Sequence, residues 1–171
     1  ALRDPDHPER YGAAAWIVRD WGGICRKPVA KEGADKSINT TIIGYLEKLG
    51  RFTDHEVELF VKANDSRVAS WSKIIAFARP KRFAVFDVRV EVALRIAFLD
   101  IPDFFGVRFF LPNSGRNDTV SKARSDLDKI PQRGISINFI EYCNILQKFV
   151  ESGCAPDVTR AEMVLWANAV E

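Results

Sequence analysis

Apolar residues recur at three- and four-residue steps in seven stretches, at about 9–21, 38–49, 54–63, 67–79, 120–130, 137–151 and 160–170. That spacing predicts amphipathic helices. Two of them carry start signals: Thr53-Asp-His-Glu56 and Thr159-Arg-Ala-Glu162 have the form of a capping box, in which a Thr hydroxyl and a Glu carboxylate satisfy amides that the first turn leaves unpaired. Ser66 and Ser136 suit simple N-caps. In the last stretch Met163, Val164, Trp166, Ala167 and Val170 predict one buried stripe, and Tyr142, Ile145, Leu146, Phe149 and Val150 predict another in the stretch before it. Trp16 and the run from Ala13 to Val18 are expected in the core. Short breaks fall at Gly22-Gly23, 31–35, 112–115 and 153–157, with no internal repeat or long linker. The expectation is one domain over 1–171, with 1–8 as a flexible tail.

The segment 83–99 is ambiguous. Val88, Val90, Val92, Leu94, Ile96 and Phe98 alternate with Asp87, Arg89, Glu91, Ala93, Arg95 and Ala97, a period of two that by itself reads as a strand. One strand of that length has no visible partner, however, and Ala93 to Leu99 are compatible with a helix. A helix opening at Asp87 as its N-cap stays open.

Composition narrows the class. A chain of 171 residues that is 47% hydrophobic and 28% charged has enough apolar side chain to close a core without metal or disulfide help, which excludes a collagen, a disordered tail and a mini-protein. The sequence has no apolar run long enough to span a bilayer, and its first ten residues lack the pattern of a signal peptide. Cys25, Cys143 and Cys154 are odd in number and widely spaced, and His7 and His55 lie far apart. Reduced thiols, an intracellular compartment and no metal site follow as expectations. The net charge of +2 hides a middle block, 62–95, with eight basic residues (Lys62, Arg67, Lys73, Arg79, Lys81, Arg82, Arg89, Arg95) against Asp65, Asp87 and Glu91. Such a block is a candidate footprint for phosphates. It is equally compatible with basic residues scattered around two solvated helices.

The stretch from Ser66 to Leu94 reads as a helix, a break at Pro80, an apolar dash from Phe83 to Phe86, then Asp87 opening a further element. Val85-Phe86-Asp87-Val88-Arg89-Val90 resembles the "V-D-x-x-V-x-R" type element of the helix-hairpin-helix DNA glycosylase superfamily, which includes endonuclease III, the adenine mismatch glycosylases and 8-oxoguanine DNA glycosylase. Trp71-Ser-Lys-Ile and the closing Arg160-Ala-Glu-Met-Val-Leu-Trp166 are similar to small members built on the 8-oxoguanine glycosylase plan. The resemblance covers about a third of the chain. It implies an all-α, compact multi-helix fold in which a helix-hairpin-helix-like element precedes a catalytic Asp at a helix N-terminus.

That chemistry has a reason to want Asp87. Breaking a base–sugar bond builds positive charge on the deoxyribose, so a fixed carboxylate near the anomeric carbon stabilises the transition state and orients or deprotonates water. The bland alternative is that Asp87 is only an N-cap. The family's "L-P-G-V-G" turn is replaced near residues 63–67 by Ala-Asn-Asp-Ser-Arg, so phosphate contact is expected from Ser66, Arg67, Ser70 or the amides of the helix that follows, with Arg89 and Arg116 as further DNA-binding candidates. The Schiff-base lysine of bifunctional members falls where this chain has Ala69 and Ser70. A monofunctional enzyme is therefore expected, with Lys73, one turn on, as a second catalytic candidate, electrostatic or nucleophilic. The four closely spaced cysteines of an iron–sulfur loop are lacking, and no cofactor is implied.

Flipping a base needs a wedge and a stacking pocket. Trp71, Phe109 and Asn113 are the candidates, with Phe104, Phe105, Phe110 and Asn117 in reserve, each phenylalanine also having an ordinary core reading. The implied function is a DNA glycosylase that excises a damaged or modified base from double-stranded DNA and leaves an abasic site, in base-excision repair or in defence against phage DNA. A monomer in the prokaryotic cytosol or nucleoid is expected. The alternatives are a catalytically inactive DNA-binding module of the same fold and a helical protein-interaction domain.

Overall fold

The computed structural model describes residues 1–22, 32–64, 66–101, 108–109, 118–131 and 136–167. Within them, α-helices form at Arg10–Trp16 (α1), Glu32–Leu49 (α2), Asp54–Ala63 (α3), Val68–Ala78 (α4), Val88–Ala97 (α5), Asp118–Leu127 (α6), Phe139–Glu151 (α7) and Val158–Ala167 (α8). A π-helical turn, Ile17–Trp21, continues α1. Among the described residues the protein is all-α apart from a parallel pairing of two residues each, β1 (Arg108–Phe109) against β2 (Ser136–Ile137).

Side-chain caps set the starts of α3, α5, α7 and α8. Thr53 makes the expected box on α3: its Oγ1 accepts from the Glu56 amide at 3.3 Å while Glu56 Oε2 accepts from the Thr53 amide at 2.8 Å. Gly50, at φ 52°, closes α2 in the left-handed region, and a Cβ there would strike the Glu56 carboxylate. For α7 the cap is Asn138, whose Oδ1 accepts from the amides of Ile140 (2.9 Å) and Glu141 (3.1 Å). Ser136 lies in β2 instead. Ser66 caps nothing either: α4 begins after Arg67, which adopts a left-handed φ of 56° without a side-chain cap. The expected break at 31–35 is shorter than its composition suggests, since α2 already starts at Glu32.

The central helix is α4, buried on almost every side. Trp71 meets Phe60 of α3 and Phe139 of α7 edge-on, with centroids 5.6 and 5.0 Å away, and Tyr45 of α2 extends the aromatic chain to Phe60. Such edge-to-face contacts add to area burial. The segment 1–8 does not hang free as a tail. Leu2 packs against the core, and its carbonyl accepts from Arg10 Nε at 2.9 Å. Trp16, expected inside, faces outward while its neighbours Ala14, Ala15, Ile17 and Val18 are buried.

The ambiguity at 83–99 resolves into two conformations. Residues 83–86 belong to no helix or strand and are buried, and Asp87 then caps α5. The alternating pattern misleads because α5 packs against both α6 and α8, so it is buried well beyond one stripe and shows little helical amphipathicity. Even its charges are inside. Glu91, 1% exposed, meets Arg95 at 3.1 Å and Arg124 of α6 at 3.3 Å, and Arg95 also reaches Asp128 at 2.7 Å.

In α8 the described part of the expected stripe is reversed, and Val170 lies outside the described residues. Met163 and Val164 are 58% and 61% exposed, and Trp166 also faces out. The inner face is instead Val158, Ala161, Glu162 and Leu165, a run of helical spacing with a carboxylate in it. The second box also fails. Asp157 Oδ1 caps the helix through the Arg160 amide at 2.7 Å, Thr159 donates to the Pro80 carbonyl at 3.2 Å, and Glu162 is turned to another partner.

Candidate active site

Val85 and Phe86, in the stretch between α4 and α5, are fixed by side chains from three helices. Ser72 of α4 accepts from the Phe86 amide at 3.1 Å and lies 3.3 Å from its carbonyl. Tyr142 of α7 donates its hydroxyl to the Val85 carbonyl at 3.0 Å, and Glu162 of α8 accepts from the Val85 amide at 3.3 Å through Oε2. A short segment without its own ladder has its backbone groups satisfied this way. The result is a rigid approach to Asp87.

Asp87 accepts from the amides of Arg89 (3.0 Å) and Val90 (3.2 Å), both at Oδ1. Its carboxylate therefore faces the positive end of the α5 dipole, and the residue is only partly buried. Lys73, in the middle of α4, is 8% exposed and donates Nζ to the Ala69 carbonyl at 2.6 Å. Its ammonium lies within electrostatic range of both Asp87 and Glu162. Burial holds Lys73 below the usual lysine range, and the two carboxylates only partly oppose that. Glu162 moves the opposite way: burial pushes its carboxyl up to about 7, Asp87 adds to the push, and Lys73 and the Val85 amide resist it. Both partners thus shift toward neutrality, because desolvation outweighs their mutual attraction.

The walls of this cluster are defined. Gly22, which ends the π-helical turn, closes one side: a Cβ there would sit 2.7 Å from the Val18 carbonyl oxygen and 3.1 Å from Lys73 Cδ. Next to it, Trp21 and Phe77 form an edge-on pair with centroids 4.9 Å apart, and both rings are largely exposed. On α5 and α8, Arg89 lies over the Trp166 ring at 4.5 Å. Cys143 is buried behind, its thiol pushed up to about 12, and is no nucleophile.

Of the residues singled out in the sequence, Asp87 and Lys73 are brought together. Ser66 and Arg67 are exposed at the start of α4, where Arg67 bonds Thr41 Oγ1 at 3.2 Å, and Ser70 is half-buried one turn before Lys73. Trp71 is not available as a wedge or stacking surface. It is 2% exposed, and its indole N–H donates to the Ser66 carbonyl at 2.8 Å. The exposed rings near Lys73 belong to Trp21 and Phe77 instead. Asn113, Arg116, Cys25 and the other loop candidates (Phe104, Phe105, Phe110, Asn117) lie outside the described residues, and Phe109 is placed in β1 by its backbone alone. The basic block is largely occupied internally: Lys73 and Arg95 are buried, Arg79 pairs with Asp54, and Arg82 donates to Asn144. Lys62, Arg67 and Lys81 stay exposed, so any cationic surface is smaller than the charge count suggests.

Glu162 is the residue that sequence reasoning missed. Its place in a Thr-x-x-Glu pattern read as a cap. Among the described residues no group of three His, Cys, Asp or Glu side chains is disposed to hold a metal, and no helix is long and apolar enough to cross a membrane. No protein-family model, curated protein or solved structure matches the chain. Chemically, the site offers a carboxylate fixed by amides, a second carboxyl with a raised proton affinity, a desolvated amine and two exposed aromatic rings.

Proposed function

We propose that the protein is a DNA glycosylase that hydrolyses the N-glycosidic bond of a damaged or modified base and leaves an abasic site. The observation that carries this reading is Asp87. It follows a helix, a turn and a second helix, ends a buried connecting segment pinned by side chains of three helices, and has one oxygen held by the first amides of α5. A carboxylate so fixed meets the positive charge that grows on the deoxyribose without reorganising during the reaction. Lys73 provides a nearby amine, and Trp21 and Phe77 provide rings on which an extruded base can stack. The substrate is double-stranded DNA bearing the altered base, in base-excision repair or in attack on modified phage DNA.

The test is a panel of duplexes with oxidised, alkylated, deaminated and hypermodified bases, scored for abasic sites. Asp87→Asn keeps an acceptor oxygen for the Arg89 and Val90 amides, so the cap survives while the charge is lost. Abasic-site formation is expected to fall by about 10²–10³-fold with DNA affinity retained. A variant as active as wild type refutes the assignment. A wild type that binds duplexes but releases no base points to a binding module of the same fold, and one that binds no DNA even at low salt points to a protein-interaction domain.

A further inference from the structure

Two carboxyl groups share this site, and their surroundings differ. Asp87 has two amides and the start of a helix facing Oδ1. Glu162 accepts from the Val85 amide at 3.3 Å and lies within electrostatic range of Asp87. The other groups around it are committed elsewhere. Lys73 of α4 gives Nζ to the Ala69 carbonyl, and Tyr142 of α7 gives its hydroxyl to the Val85 carbonyl. Cys143 of α7 is buried. Burial of a carboxyl in that position favours its protonated form.

We propose that Glu162 is the acid that protonates the departing base while Asp87 meets the positive charge on the sugar. This rests on the glycosylase reading and adds a division of labour within it. In the step, the bond between the sugar's anomeric carbon and the base nitrogen breaks, its electron pair goes to the base, and the base takes the Glu162 proton. A water oxygen bonds to the anomeric carbon, its proton passes through the Asp87 carboxylate to solvent, and Glu162 is reprotonated from solvent. Pairs of carboxyls whose environments separate their proton affinities divide acid and charge-stabilising roles in this way. The raised proton affinity of Glu162, to about 7, keeps a large share of it protonated near neutrality.

Single-turnover excision by the full chain, on whichever duplex the panel identifies, is measured from about pH 5 to about pH 9 for wild type and Glu162→Gln. Glutamine keeps an oxygen for the Val85 amide but has no acidic proton. The wild-type rate is expected to fall as pH rises through about 7, and the variant to lose about 10²–10⁴-fold at pH 6 and to lose that fall, with DNA affinity unchanged. Glu162→Asp, which keeps the acid, is expected to recover part of the rate. A structural role would leave the pH limb in place. The proposal is overturned if the wild-type rate does not fall between about pH 6 and 8.5, a result independent of whether any variant folds, or if Glu162→Gln retains both rate and limb. In those outcomes loss of activity in Asp87→Asn still supports the glycosylase reading. A wild type that excises nothing removes both.

Discussion

Replacing Glu162 with glutamine should make the protein more stable above neutral pH, and the size of the gain follows from the site. The Glu162 carboxyl has an ordinary value of 4.5 and is raised to about 7 in the fold, with burial the largest cause and Asp87 a lesser one. The folded state therefore holds the proton more tightly than the unfolded chain. The stability linked to that proton is fully present below about pH 4.5 and is lost as pH rises through about 7. At about 1.4 kcal/mol for each tenfold change in proton affinity, the whole displacement is worth about 3 kcal/mol. Partial solvent access reduces it to about 2 kcal/mol. Glutamine keeps the Val85 contact and cannot ionise, so it escapes the loss. Lys73, which faces the group, limits the gain by attracting the ionised form, while Tyr142 and Cys143 carry no charge there. Urea denaturation of both proteins at about pH 4.5 and pH 8 is the assay. The two should converge at the lower pH and separate by about 2 kcal/mol at the higher, equivalent to about 4–8 °C in Tm for a chain of this size. A difference that does not change with pH, or a variant less stable at pH 8, refutes the account of the buried carboxyl.

Three further substitutions test the supports of the site. Tyr142→Phe removes the hydroxyl that the Val85 carbonyl accepts from at 3.0 Å and should cost about 1–2 kcal/mol in urea denaturation; no change would mean that 83–87 is held without it. Gly22→Ala places a methyl 2.7 Å from the Val18 carbonyl oxygen and 3.1 Å from Lys73 Cδ. A thermal melt should show about 1–3 kcal/mol of destabilisation, and an unaffected melt would mean that the π-helical turn yields freely. Glu91→Ala takes one carboxylate from Arg95, which keeps Asp128, and removes from Arg124 the carboxylate 3.3 Å away. The expected loss is about 3–5 kcal/mol, and a loss under about 1 kcal/mol would show that water reaches the network.

Helix positions were legible where one face is apolar and the cap is local. Thr53 and Glu56 form their box as the pattern implies, because the groups that meet the Glu56 carboxylate, the Thr53 and Arg51 amides, are both local in sequence. The same four-residue pattern at 159–162 fails for a tertiary reason: Asp157 reaches the helix amides first, and the Val85 amide, remote in sequence, takes the Glu162 carboxylate. Asp87 was legible as an N-cap because capping is a short-range property, and Lys73 as a neighbour because it stands a turn beyond Ala69 on α4. What no local rule conveys is the phase of α8. Its most apolar residues, Met163, Val164 and Trp166, point outward, while Glu162 takes an inner position beside Leu165. Rotating α8 to bury its tryptophan and free its glutamate would suit hydrophobic burial better. The observed rotation gives up that gain, and in return sets a carboxyl next to Lys73 and Asp87 and brings the Trp166 ring against Arg89. The α8 helix departs from its hydrophobic pattern, as Trp16 of α1 also does, and its departure turns a carboxyl toward Lys73 and Asp87; a break of this kind between pattern and packing is a pointer to a candidate site. The site is thus located as much by the disagreement between pattern and packing at Glu162 as by the motif at Asp87.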